Sequence, residues 1–275
     1  MTMWRAVRRV AAWTGTLAMV TATAAGAQQE NPFRWTGSLG SGKVLEVKGI
    51  SGSIRAERAS GGTAEVVAEK TGRDSDFDQV EIRVEQASDG VTVCAVYRPD
   101  RYDTDGCDLN HADRDDRRWR GDGEIRVHVD FVVKVPDGVE LIASQVSGDV
   151  EARDLRSNVT ANSVSGDVFV STTGVAEAHT VSGSLDIEMG SLDWKHLDFK
   201  TVSGDITLRL PAGLATDVDF ESLSGDLDTD FDLKLQGRRS RRWVGAHVQG
   251  TIGDGGGRSL TLNTVSGDVR LRRTR

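Results

Sequence analysis

Apolar and polar residues alternate with a period of two through much of the chain from Leu45 onward. The clearest runs are Leu185-Asp186-Ile187-Glu188-Met189, Leu197-Asp198-Phe199-Lys200-Thr201, Ile206-Thr207-Leu208-Arg209-Leu210 and Val218-Asp219-Phe220-Glu221-Ser222. Such alternation predicts short strands with one face buried and the other solvated. A recurrent five-residue word joins the runs. It reads Val146-Ser147-Gly148-Asp149-Val150, then Val164-Ser165-Gly166-Asp167-Val168, Val181-Ser182-Gly183-Ser184-Leu185 and Val202-Ser203-Gly204-Asp205-Ile206. It returns as Leu223-Ser224-Gly225-Asp226-Leu227 and Val265-Ser266-Gly267-Asp268-Val269. From serine to serine the steps are 18, 17, 21, 21 and 42. The last equals two steps of 21, which predicts an intermediate coil with Val244-Gly245-Ala246-His247-Val248 in place of the word.

A fixed period near 20 residues marks stacked coils, none of which buries its apolar side alone. Each coil reads as strand, Ser-Gly corner, strand, second corner. The second corners carry chain breakers: Pro136-Asp137-Gly138, Ser157-Asn158, Thr173-Gly174 and Pro211-Ala212-Gly213. The predicted fold is all-β, a single-chain parallel β-solenoid of two sheets with the six corners in one column. Glycine accepts a positive φ at such a corner, and Ser and Asp side chains hold turns by bonding backbone N–H groups. A residue supplied by every coil reads as architecture, whereas a catalytic nucleophile is needed once. If the corners stack in chain order, Asp149 and Asp167 are neighbours, Ser184 interrupts, and Asp205 and Asp226 resume the row. Each carboxylate is then expected to accept N–H bonds at its own turn rather than to bind calcium.

The array begins earlier than the word suggests. Leu45-Glu46-Val47-Lys48-Gly49-Ile50-Ser51-Gly52-Ser53-Ile54 fits the same template, with Ser51 and Gly52 as its corner. From residue 57 to 140 the word is missing, although strands are predicted at Ala64–Lys70, Val80–Glu85, Val91–Tyr97, Glu124–Val135 and Val139–Ala143. This part reads either as irregular solenoid or as a small antiparallel β layer on the solenoid end. The regular repeats occupy 141–275, and the whole solenoid domain 43–275, after a lead at 28–42 in which Trp35 is a candidate end cap.

Residues 1–27 carry the marks of a secretory signal peptide: Arg5, Arg8 and Arg9, then an uncharged run from Val10 to Ala25, then Ala25-Gly26-Ala27. The uncharged run is too short and too rich in Ala, Thr and Gly to span a membrane, so no span is expected in the mature chain. Removing three arginines and no acid takes the formal charge from −8 to −11. An acidic chain lacks the basic footprint of a general nucleic-acid binder. In an exported chain, Cys94 and Cys107, the only two cysteines, read as a disulfide.

Two segments hold concentrated charge. Arg98–Gly123 contains eight aspartates, and its Asp103-Thr104-Asp105-Gly106 approaches a calcium loop. Arg101 at the first ligand position and Ala112 at the twelfth break that match, so a solvated, ion-paired loop is expected and no metal is assigned. Arg238, Arg239, Arg241 and Arg242 form the one basic cluster, in a predicted bulge from Gly237 to Trp243.

The recurrent T-V-S-G-D word (Thr201 to Asp205, Thr264 to Asp268) and the Cys94-Ala95-Val96-Tyr97 stretch with a later Cys107 resemble a bacterial family described as putative adhesins of unknown function, built of β-strand repeats. Val135-Pro136-Asp137-Gly138-Val139 and Gly255-Gly256-Gly257 add to the resemblance, which covers roughly Gly42 to Arg272. It implies an envelope-associated β-solenoid and carries over no catalytic residue and no cofactor. The expected function is an exported, non-enzymatic binding or scaffold protein whose partner is an envelope protein or glycan. Two other readings stand beside it. One is a polysaccharide-active enzyme using Asp219 with Glu221, or Asp228 with Asp230; scarce aromatics (5% of residues) count against it. The other is an accessory in envelope-stress signalling.

Overall fold

The computed structural model describes residues 31–97, 107, 126–236, 246–255 and 257–274. The predicted signal peptide, most of Arg98–Gly123, and the Gly237–Trp243 segment with its arginines lie outside the described residues. Two sheets, of ten and eleven strands, face each other across one thin core.

The central coils follow the sequence pattern closely. Strands Glu140–Ser147, Val159–Ser165, Ala176–His179 and His196–Lys200 stack in parallel in the larger sheet. Val150–Leu155, Val168–Thr172, Leu185–Met189 and Ile206–Leu210 stack in parallel in the other. The chain crosses from one sheet to the other at each Ser-Gly corner. Inward positions are filled by Val, Leu, Ile and Ala, with Phe131, Phe199 and Phe220 the largest fully buried side chains. Burying each Val, Leu or Ile contributes about 1.5–3 kcal/mol, and short aliphatic residues suit sheets that face each other at about 10 Å.

At the C-terminal end the stacking order leaves the chain order. Ser259–Ser266 pairs in parallel with His196–Lys200 on one side and with Thr216–Ser224 on the other. Val269–Arg273 likewise lies between Ile206–Leu210 and Leu227–Thr229. The last coil in sequence is thus the second-to-last in space, and the coil 216–229 is outermost. The expected intermediate coil around Val244 is not built. Its described part, Ala246–Ile252, pairs antiparallel with Thr216–Ser224 and is followed by the antiparallel edge strand Leu233–Leu235. The 42-residue step is an excursion through this antiparallel pair, not two stacked coils.

The N-terminal end shows the same inversion. Gly90–Tyr97 pairs in parallel with Val44–Ser51, and Val127–Val135 in parallel with Ile54–Arg58. These two strands form a coil outside the first one, and the segment after Tyr97 carries no Ser-Gly word. Antiparallel strands close this end: Val80–Gln86 on one sheet, Thr63–Gly72 and Phe33–Ser38 on the other. Both readings of 57–140 therefore hold for part of it. Trp35, in Phe33–Ser38, packs part-buried against the core.

Candidate functional site

The corners form a single column. Isolated parallel bridges join Ser165 to Ser182, Ser182 to Ser203 and Ser203 to Ser266, and strand register joins Ser51 to Ser147, Ser147 to Ser165, and Ser266 to Ser224. The order in space is Ser51, Ser147, Ser165, Ser182, Ser203, Ser266, Ser224.

Glycine is required here for two reasons. Gly204, for example, has φ of +148°, and a Cβ on it would stand 2.0 Å from the Gly183 carbonyl oxygen. The same contact recurs up the column, from Gly148 against Gly52 to Gly225 against Gly267. Each corner glycine N–H except that of Gly225, in the outermost coil, donates to the serine carbonyl of the next coil, as Gly183 does to Ser203 at 2.9 Å and Gly204 to Ser266 at 3.0 Å.

Two side-chain ladders bind the column, and neither lies where local turn chemistry places it. The first is carboxylate. Asp149 Oδ1 accepts the N–H of Asp167 at 2.9 Å, Asp167 that of Ser184 at 2.7 Å, Asp205 that of Asp268 at 2.8 Å, and Asp268 that of Asp226 at 3.1 Å. Each carboxylate therefore bonds the next coil, not its own turn. Asp205 and Asp226 are not neighbours, because Asp268 stands between them. Arg270 spans Asp205 at 2.7 Å and Asp268 at 3.1 Å. Its guanidinium, with the Asp268 N–H, holds the Asp205 carboxyl below the usual carboxylate range. At the other end Asp130 accepts from both the N–H (2.8 Å) and the hydroxyl (2.6 Å) of Ser53. Asp130 belongs to this row although its own strand carries no Ser-Gly word.

The second ladder is buried. Thr180 donates its hydroxyl to the Gly166 carbonyl at 3.1 Å, Thr201 to that of Gly183 at 3.0 Å, and Ser163 to that of Gly148 at 3.1 Å. Gln145 reaches Gly52 in the same way, filling the space left by Gly49. Ser222 holds the equivalent place in the outermost coil, but its buried hydroxyl has no partner.

The residue before each corner serine points out. Val146, Val164, Val181, Val202, Val265 and Leu223 are 43–53% exposed and stand in register as a column of their own. Six of the eight exposed large hydrophobics among the described residues belong to it, which sets this edge apart from the rest of the surface. Near its C-terminal part runs an open groove of about 870 Å³, lined among others by Val181, Val202, Val265, Leu223, Lys200 and His247. The corner serine hydroxyls beside the column, Ser51 excepted, make no hydrogen bond among the described residues; Ser51 meets His128 Nδ1 at 2.7 Å.

Of the other sequence candidates, Cys94 and Cys107 are bonded, with Cα atoms 5.7 Å apart. The bond lies over the outer face of the larger sheet, where Cys94, Cys107 and Val96 form a small separate core. Asp219 takes His247 at 2.9 Å and Gln249 at 3.2 Å. Asp228 and Asp230 are both held by Arg272, at 2.6 and 3.2 Å. Glu177 meets His179 at 3.3 Å, while Asp198 bonds Lys200 and Asp186 bonds Arg209. These carboxylates lie in ion-paired rows on solvated sheet faces. Among the described residues no group of three or more His, Cys, Asp or Glu side chains is placed to hold a metal ion.

The model of the family described as Toastrack DUF4097 matches residues 41–272, and the chain belongs to that family. No curated protein matches it. Among solved structures, it is similar in shape to a putative cell adhesion protein from Clostridium sporogenes, with 10% identity, 88% of this chain and 100% of that chain covered, and a TM-score of 0.45. A putative adhesin from Bacteroides fragilis has 12% identity, 89% and 98% coverage and a TM-score of 0.31. A putative lipid binding protein from Parabacteroides distasonis has 10% identity, 88% and 97% coverage and a TM-score of 0.25.

Proposed function

We propose that this protein is an exported, non-catalytic binding or scaffold protein of the cell envelope. The observation that carries the reading is the corner edge. It presents the same three rows (aliphatic, hydroxyl and acidic) coil after coil, so the surface is suited to holding an extended partner. Among the described residues, no single coil concentrates a nucleophile, base and orienting group as catalysis requires. Export is supported by the Cys94–Cys107 bond, since such bonds persist in oxidising compartments, and by the signal-like residues 1–27. No helix among the described residues is long and apolar enough to cross a membrane.

The test is a pull-down from envelope extract, run beside a glycan-panel turnover assay. The expected outcome is a retained envelope protein or glycan and no turnover. Steady product formation that is lost on Asp219→Asn or Asp228→Asn overturns the reading in favour of a polysaccharide-active enzyme.

A further inference from the structure

The aliphatic column is the feature that the architecture leaves unexplained. Its side chains contribute nothing to the core, and its backbone is already satisfied: Val164 O accepts from Ser182 N at 2.9 Å, Val181 O from Val202 N at 3.1 Å, and Val202 O from Ser266 N at 2.9 Å. An added β-strand would find the Val164, Val181 and Val202 carbonyls already taken, which counts against strand addition as the mode of docking. A contiguous apolar stripe rimmed by polar groups marks an interaction surface. Its occupant must engage it through side chains.

The spacing selects the occupant. Parallel strands repeat at about 4.8 Å, so six residues from Val146 to Leu223 span about 24 Å. An α-helix lying along the column presents one seam residue every three or four positions, or about 5.3 Å. The two repeats drift apart by about 2 Å over the whole column. An extended chain presents same-face side chains every 6.6 Å or so and loses phase by about 2 Å at each coil. The charge selects the flank. Beside the column run the carboxylates of Asp149, Asp167 and Asp226, which have no ion-pair partner among the described residues. A second copy would set one acidic row near another, and an anionic lipid surface would meet the same repulsion. The column also carries no aromatic ring on which a sugar could stack.

Resting on the binding-protein reading above, we propose that the Val146–Leu223 column is a docking seam for an amphipathic α-helix of about 16 residues, with one aliphatic residue per turn against the valines and a Lys/Arg flank along the aspartate row.

The test uses three labelled synthetic peptides of one length against the purified protein, read by fluorescence anisotropy. One has Leu at alternating three- and four-residue spacing with Lys on one flank. The second has the same composition with Leu at every second position. The third replaces Lys by Glu. The first is expected to bind, the second at least tenfold more weakly, and the third not measurably. Val181→Ser with Val202→Ser, both exposed and so tolerated by the fold, should weaken the first peptide at least tenfold with unchanged circular dichroism. Asp149→Asn with Asp167→Asn should weaken it a few-fold and flatten its salt dependence, while the amide oxygens still accept the ladder N–H bonds. Equal binding of the first two peptides, no binding of the first, or binding indifferent to the valine substitutions overturns the proposal. So does a valine-dependent self-association, or valine-dependent binding of a linear glycan or an anionic vesicle in place of the peptide. An envelope partner whose capture survives Val181→Ser with Val202→Ser leaves the binding-protein reading standing and overturns the helix seam alone.

Discussion

From Glu140 to Leu210 the coils stack in the order of the chain, each held by the coil before it and the coil after it. From Thr216 onward the order is broken: the coil 259–273 sits inside and the coil 216–229 outside. Both regions use the same corner, the same carboxylate ladder and the same core residues. They differ in where their contacts lie along the sequence. In the centre, neighbours are 17 to 21 residues apart, whereas Ser203 and Ser266 bridge across 63 residues. Stability in the centre is therefore a sum of nearest-neighbour terms, while at the C-terminal end two coils depend on a third that is made last.

The largest effect should come from deleting residues 257–275. In a solenoid stacked in chain order this would remove one terminal coil. Here it removes the partner of Thr216–Ser224 and Leu227–Thr229, so amide protection should collapse across 216–236 and 246–252, at a cost above about 5 kcal/mol. Hydrogen exchange in which protection outside the deleted coil is unchanged would break the comparison.

Next is Gly204→Ala, in the centre of the column. A Cβ there meets backbone at 2.0 Å, and the φ of +148° is strained for any L side chain. A loss of about 3 kcal/mol or more is expected in urea unfolding. Gly213, whose Cβ would meet nothing within 4 Å, should accept Ala with a change below about 0.5 kcal/mol.

The hydroxyl ladder gives a finer contrast. Thr201→Val leaves the Gly183 carbonyl without its side-chain donor and should cost about 1–2 kcal/mol. Ser222→Ala removes a buried hydroxyl that has no partner and should be neutral or slightly stabilising. Equal losses at the two sites would show that the outer coil is bonded as the inner ones are.

The smallest effect concerns acid. The Asp205 carboxyl is held below its usual range, first by Arg270 and then by the Asp268 N–H. Its contribution is therefore present above the unfolded carboxylate pKa of about 3.9 and is lost as pH falls through the depressed folded value. Asp205→Asn should leave neutral stability nearly unchanged, since the side chain is well exposed to solvent. It should make the decline below pH 4 or so shallower. An unchanged acid slope would remove Asp205 from the linkage.

The corner was legible because Gly at positive φ with Ser and Asp beside it recurs at a fixed step, although the carboxylates bond the next coil and not their own turn. The strands were legible from period-two alternation. The place of each coil was not, because periodicity assigns membership of a stack and leaves the order within it free. The step from Ser224 to Ser266 divides evenly by 21 and yet spans an antiparallel excursion. Asp130 was not legible because no Ser-Gly pair stands before it in the sequence; the Val129-Asp130-Phe131 run was the only signal. The role of the hydroxyl two places before five of the seven corner serines was hidden just ahead of the word, although Ser163, Thr180, Thr201, Ser222 and Thr264 are all small and polar. So was the outward turn of each valine, because an apolar letter in a repeat suggests core until the alternation is counted through it.

The intercalated last coil also sets how the molecule bears load. A terminal coil at the open end of a stack peels away one hydrogen bond at a time. Val269–Arg273 is bonded on both sides, to Ile206–Leu210 and to Leu227–Thr229, and Thr274 donates a further bond to Leu210 O at 2.8 Å. Tension applied through Thr274 must shear both neighbours together, so this coil acts as a wedge rather than a loose thread.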